Sequence, residues 1–347
     1  MDVIAKTIGF SHGGRRQPEI FTNPLGVVLP DRGERMTIPH WLIVRLQNQY
    51  PMLHYLTERT FGVEIEFYGL EYVLTPPDAG IIKPYNISSK ARDGRSFSQL
   101  YRESKINLGN DRNSWHFEED TSVRGKLRTR YGAELISPIL RGIAGLVEVY
   151  QAFMFLNEVE GVDIDESCGF HVHHGVDSGV YTCEQLKKLV RIVHPMEKLF
   201  YLLIPGERHN RTTCRPMEID VQAFLQECDP ECGPGNCRLK RLWYSPENRY
   251  DPELAKHPRY DRTRYHGLNL HSYWFRSTIE FRYHSAVLHH IDEAMQWIIF
   301  SQFLVEMSQG NIPAVNFHAD GNKWLQTIYV IYHALGYSDL IKGMSSN

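Results

Sequence analysis

The sequence predicts an α+β fold built on a mainly antiparallel sheet. Three observations carry that expectation. Short segments alternate apolar and polar residues with period two, as half-buried strands do: FGVEIEF at 61–67, GFHVHHGV at 169–176 and TIEFRYH at 278–284. Other segments, such as 142–159 and 182–203, repeat apolar residues at helical spacing. The two kinds follow one another without regular strand–helix–strand alternation, which argues against a doubly wound parallel sheet.

Residues 1–57 read as an appendage. Gly13, Gly14, Pro18, Pro24, Pro30, Gly33 and Pro39 favour irregular structure over 9–40, and a helix broken at Pro51 is expected over 40–56. Residues 58–310 form the expected catalytic domain. It opens with the strand Phe61–Phe67. Residues 68–112, with Pro76, Pro77, Pro84 and Asp93-Gly94, read as a long inserted loop and a candidate lid. A second strand system follows over 115–123, and a short strand ends at Leu135–Pro138. Ile143, Leu146, Val147, Tyr150, Phe153 and Met154 mark a helix over 142–159. The strand 169–176 comes next. Thr182 with Gln185 suggests a capping box for a helix running to about Leu203, with a break at Pro195. A short helix is expected at 217–226 and a loop at 227–263, inside a second insertion at 205–263. Strands at 267–271 and 278–284 suggest a hairpin. Helices are expected near 291–309 and, in the C-terminal segment 311–347, near 322–336.

The bulk numbers exclude several classes. A chain of 347 residues, 42% hydrophobic and 23% charged, is an ordinary globular protein. A net charge of −3 gives no global reason to bind nucleic acid. No apolar run approaches the ~20 residues of a membrane span. The N-terminus lacks an apolar signal core, and six cysteines in so long a chain do not make a disulfide scaffold. The expectation is a cytoplasmic protein with reduced thiols and no membrane partner.

The candidate site residues come in pairs two apart, which share one face of a strand. Glu64 and Glu66 repel each other unless a cation lies between them; the alternative is a solvated strand edge. Glu134 gains weight only from its companions. His171 and His173, framed by Gly169 and Gly175, suit a metal or a phosphate, or else are hydrogen-bonded core histidines; His174 points to the opposite face. Glu280 and Arg282 form either an ion pair or a metal ligand beside a phosphate-binding fork. Asp120 precedes an alternating basic run, Arg124, Lys126, Arg128 and Arg130, which reads as a solvated hairpin or as a grip on an acidic ligand. Cys214, Cys228, Cys232 and Cys237, near His209, are either loop thiols or a structural zinc clip. No GxSxG elbow, Walker loop or GxGxxG is present.

Taken in order, FGVEIEF, EEDTS at Glu118, GAELISP at Gly132, CGFHVHHG at Cys168, RYHGLNL at Arg264 and TIEFRYH resemble the amidoligase family over residues 60–310. That family belongs to the carboxylate–amine ligases, with glutamine synthetase and glutamate–cysteine ligase. The resemblance implies a glutamine synthetase-like catalytic fold, a curved and mainly antiparallel sheet backed by helices. It implies metal ligation by Glu64, Glu66, Glu134, His171 and Glu280, with two or more Mg²⁺ ions. Asp120 falls at an acidic position for metal or the incoming amine. His173 and Arg282 fall at nucleotide-phosphate positions, and Arg264 and Asn269 at the nucleotide or substrate site. The implied reaction joins a carboxylate and an amine through an acyl phosphate made from ATP. A peptide, amino-acid or cell-wall-type substrate would suit the extra segments. Two competing readings are a zinc-dependent hydrolase built on His171, His173 and the carboxylates, and a non-catalytic partner-binding protein.

Overall fold

The computed structural model describes residues 56–74, 80–104, 106–110, 113–123, 132–176, 181–203, 213–227, 238–244 and 261–310. Eight strands make one sheet: β1 Thr60–Tyr68, β2 Ile81–Ile82, β3 His116–Glu119, β4 Gly132–Ile136, β5 Leu140–Arg141, β6 Phe170–Gly175, β7 Leu268–Asn269 and β8 Thr278–Phe281. Among the described residues seven α-helices accompany them: α1 Phe97–Glu103, α2 Gly142–Glu158, α3 Cys183–Leu203, α4 Val221–Gln226, α5 Arg238–Tyr244, α6 His271–Arg276 and α7 Ile291–Gln309. The strand order is β2-β3-β4-β1-β6-β8-β7, with β5 also on β1, and each of these pairings is antiparallel.

The period-two alternation sorts the side chains. Phe61, Val63, Ile65 and Phe67 of β1, Phe170 and Val172 of β6, and Ile279 and Phe281 of β8 are buried in one hydrophobic core. α2 packs on β1, α7 packs on β6, and α7 also contacts α2 and α3. Burying such side chains supplies roughly 1.5–3 kcal/mol each before the entropy of ordering the chain. His174 faces this core, as its place in the alternation predicts. Its Nε2 meets Ser301 Oγ at 2.7 Å, and burial holds the ring well below the usual histidine range. The opposite faces of β1, β4, β6 and β8 carry Glu64, Glu66, Glu134, His171, His173 and Glu280.

The structure corrects several expectations. Residues 80–104 are not an inserted loop without packing. β2 extends the sheet beyond β3, and Ile82, Ile87, Ala91, Phe97 and Leu100 join the core. Ser96 and Gln99 close a full capping box on α1. The strand over 115–123 stops at Glu119. α3 runs through Pro195 without ending there. Arg238–Tyr244 is helical rather than loop, because Leu239, Trp243 and Tyr244 bury one face. β7 and β8 pair, but they are joined by α6 and not by a hairpin turn. The expectations for residues 1–55, the basic run 124–130 and the segment 311–347 lie outside the described residues, as do Cys228, Cys232, Cys237 and His209. Cys214 is buried and donates to the Arg282 carbonyl oxygen at 3.2 Å. Cys168 is likewise a buried thiol among the described residues. Among the described residues no helix is long and apolar enough to cross a membrane.

Candidate active site

Strand register gathers residues that are far apart in sequence. Glu64 lies opposite His171, and His173 lies opposite Glu280, which lies opposite Asn269. On the other side Glu66 faces Glu134, and Glu134 faces Glu118. Glu64, Glu66, Glu118, Glu134, His171 and His173 line a cavity of about 1380 Å³ that also takes in Asp120, Arg264, Arg276, Arg282 and residues 136–139, while Glu280 and Asn269 do not line it. Gly175 permits the close approach of β6 to β1, since a Cβ there would fall 1.9 Å from Thr60 Oγ1. None of the described residues in 68–112 lines the cavity, so the expected lid is not built from them.

Two groups of ligand atoms result. In Glu64, His173 and Glu280 one atom from each residue lies within 4.8 Å of the others, and the same holds for Glu66, Asp120 and Glu134. In the first group His173 Nδ1 is held by Thr278 Oγ1 at 3.1 Å, with Ser272 Oγ at 3.5 Å. His173 Nε2 is buried without a hydrogen bond, 3.2 Å from Glu64 Oε1 and 3.7 Å from Glu280 Oε1. In the tautomer with its proton on Nδ1, this nitrogen turns a lone pair toward two carboxylates, an arrangement that a cation completes. The residues present therefore fit a divalent ion, and the excess of oxygen donors suits a hard one.

The electrostatics of the two groups differ. Burial works to raise Glu64, but the imidazoles of His173 and His171 outweigh it and hold the carboxyl well below its usual range. Glu280 behaves alike: against burial, His173 and the Arg282 guanidinium bring it down to about 2. Glu134 is pushed well up by burial and by the charges of Glu64, Asp120, Glu66 and Glu118. Asp120 is raised by burial and by Glu66.

Most of the expected residues converge on one sheet face. His171 belongs to neither group but lies between them, with Nδ1 3.2 Å from Glu64 Oε2 and Nε2 3.3 Å from Glu66 Oε1. His173, expected on a phosphate, instead joins a ligand group. Asn269, expected to touch the nucleotide, does not line the cavity; its Nδ2 donates to Glu280 Oε2 from behind. Arg282 lines the cavity but is almost wholly buried. Its Nη1 donates to Glu280 Oε1 at 2.6 Å and its Nε to the Thr213 carbonyl at 3.2 Å. Arg264 lines the cavity from the 3₁₀ turn Arg262–Tyr265, where its guanidinium lies over the Tyr265 ring.

Sequence reasoning missed Glu118, His116 and Arg276. The alternation in HFEE at 116–119 carried a signal for the first two. Their Glu118 Oε1 and His116 Nε2 stand 3.4 Å apart on the cavity side. Arg276 ends a short helix with no spacing pattern to mark it.

Residues 57–305 match the model of a protein family described as "Putative amidoligase enzyme". No curated protein matches the chain. The matched span runs from the start of β1 into α7 and so includes every strand of the sheet and both ligand groups. By that match the chain belongs to the amidoligase family.

Proposed function

We propose that this protein is an ATP-dependent ligase that joins a carboxylate to an amine through an acyl phosphate. The observation that carries the reading is the pair of candidate ligand groups, five of whose six residues line one cavity together with Arg264, Arg276 and Arg282. Nucleoside triphosphates are bound as complexes with hard divalent ions on carboxylates, and their transferring phosphoryl group is met by guanidinium. An antiparallel sheet carrying acids on one face and helices on the other also supports a glutamine synthetase-like architecture.

In the first step a carboxylate oxygen of the substrate attacks the γ-phosphorus. The bond to the β,γ-bridging oxygen breaks, and ADP leaves. In the second step the amine nitrogen attacks the acyl carbon, the bond to the phosphate oxygen breaks, and a proton leaves the nitrogen. Bound Mg²⁺ would neutralise charge on the phosphate oxygens. Glu64, His173 and Glu280 would hold one ion, and Glu66, Asp120 and Glu134 another. Arg282 and Asn269 fix Glu280, while His171 orients Glu64 and Glu66. The cavity volume leaves room for a peptide, amino-acid or cell-wall-type substrate beside the nucleotide.

Calorimetric titration of MgATP tests the reading, followed by ADP assays against pools of acids and amines with each omitted in turn. MgATP binding, and ADP release that needs both substrates and vanishes in Glu64→Ala, are expected. Tightly held zinc on elemental analysis, with no binding of MgATP, would instead favour the hydrolase.

A further inference from the structure

Two arginines reach the first ligand group, and they are placed differently. The Arg282 side chain is only 5% exposed and is tied to Glu280 and to the Thr213 carbonyl. It shapes a ligand and has little freedom to follow a substrate. The Arg276 side chain is 39% exposed and lines the same cavity. Its Nη1 stands 3.5 Å from Glu64 Oε1, at the outer limit of a hydrogen bond. That oxygen also faces His173 Nε2 at 3.2 Å. A cation bound by Glu64, His173 and Glu280 would need the oxygen that Arg276 now faces.

The backbone holds Arg276 in this place. Ser277, directly after it, has φ 58° and ψ 41°, and it is the only non-glycine residue with positive φ among those described. A left-handed serine costs energy that the surrounding structure must offset, and such strain clusters at functional sites. Here it lets the chain leave α6 and enter β8 within one residue, with Arg276, Thr278 and Arg282 all reaching the cavity. Burial works against the charge of Arg276, but Glu64, Glu280, Glu134 and Glu118 together favour it.

We infer that Arg276 is a phosphate-binding residue that pairs with Glu64 and turns to an anionic phosphoryl group when a divalent cation claims that carboxylate. The inference rests on the ligase reading above and assigns the phosphoryl contact to Arg276 and not to Arg282. It makes opposite predictions for two ligands of one variant. In the full-length protein, Arg276→Ala removes a competitor for Glu64, so Mg²⁺ alone should bind roughly two- to fivefold tighter, the scale of a partly exposed ion pair. MgATP should bind about tenfold or more weakly, because charge-assisted bonds to phosphate are lost. Arg276→Lys should fall between, since it keeps the charge but not the fork. Calorimetry with Mg²⁺ and then with MgATP reads both effects. Unchanged or weaker Mg²⁺ binding, or unchanged MgATP binding, in Arg276→Ala overturns the inference while leaving the ligase reading intact. A wild-type protein that binds Mg²⁺ but not MgATP overturns the ligase reading, and this inference with it.

Discussion

The group of Glu64, His173 and Glu280 lies beside that of Glu66, Asp120 and Glu134, yet the two carry their charge in different ways. The first is compensated. Histidines and arginines surround its carboxylates, which stay ionised despite burial. The second is under repulsion. Three glutamates, Glu118, Glu134 and Glu66, stand in register across β3, β4 and β1, and Glu134 and Asp120 are raised toward the neutral form. The first group therefore keeps its carboxylates charged through its protein neighbours. In the second, neighbouring carboxylates add to burial in raising Glu134 and Asp120.

The largest effect should come from breaking the compensated group. Glu280→Ala leaves Arg282 buried without its carboxylate, and the loss should be about 3–5 kcal/mol in chemical denaturation. A loss below about 1 kcal/mol would show that Arg282 does not depend on Glu280.

A carboxylate outside the cavity separates burial from repulsion. Glu197 on α3 accepts from the Tyr283 hydroxyl at 2.7 Å and from the Met217 amide at 3.1 Å. Burial pushes it up to about 7, against these hydrogen bonds. Between its ordinary value and about 7 the folded state holds a proton that the unfolded state has lost. Stability should therefore fall as pH rises through that window and stay level above it. Glu197→Gln should flatten this component, on the order of 2–3 kcal/mol between pH 4.5 and 8. An unaltered slope in the variant would place the titration elsewhere.

The smallest change should come from relieving the repelled group. In chelator-treated protein, Glu134→Gln should raise stability by roughly 1 kcal/mol, because the amide is neutral without the proton that burial and the neighbouring carboxylates force on Glu134. The same variant should lose most of the melting-temperature gain that Mg²⁺ gives the wild type. If the metal-free variant is less stable than wild type, the claim of uncompensated charge in this group is wrong.

Part of this site was legible in the chain because strands write their faces into sequence. Glu64 with Glu66, His171 with His173, and Glu280 with Arg282 each follow from the two-residue repeat, and so does the inward turn of His174. The spacing could not show which strand lies beside which. Register alone puts His173 next to Glu280, leaves His171 between the groups and pairs Asn269 with Glu280. Arg276 carried no pattern at all.

What the sequence determined by itself was the set of acids and imidazoles, the strand faces that bear them and the main helices behind them. These are local properties, set by side-chain alternation and helical periodicity over fewer than about twenty residues. The tertiary structure decided the grouping. It placed residues 80–104 in the core and not over the cavity, and it divided the carboxylates into a compensated set and a repelled one. Charge interactions fall off with distance through space, and distance along the chain does not enter them. Only the folded neighbours could fix which carboxylates stay ionised.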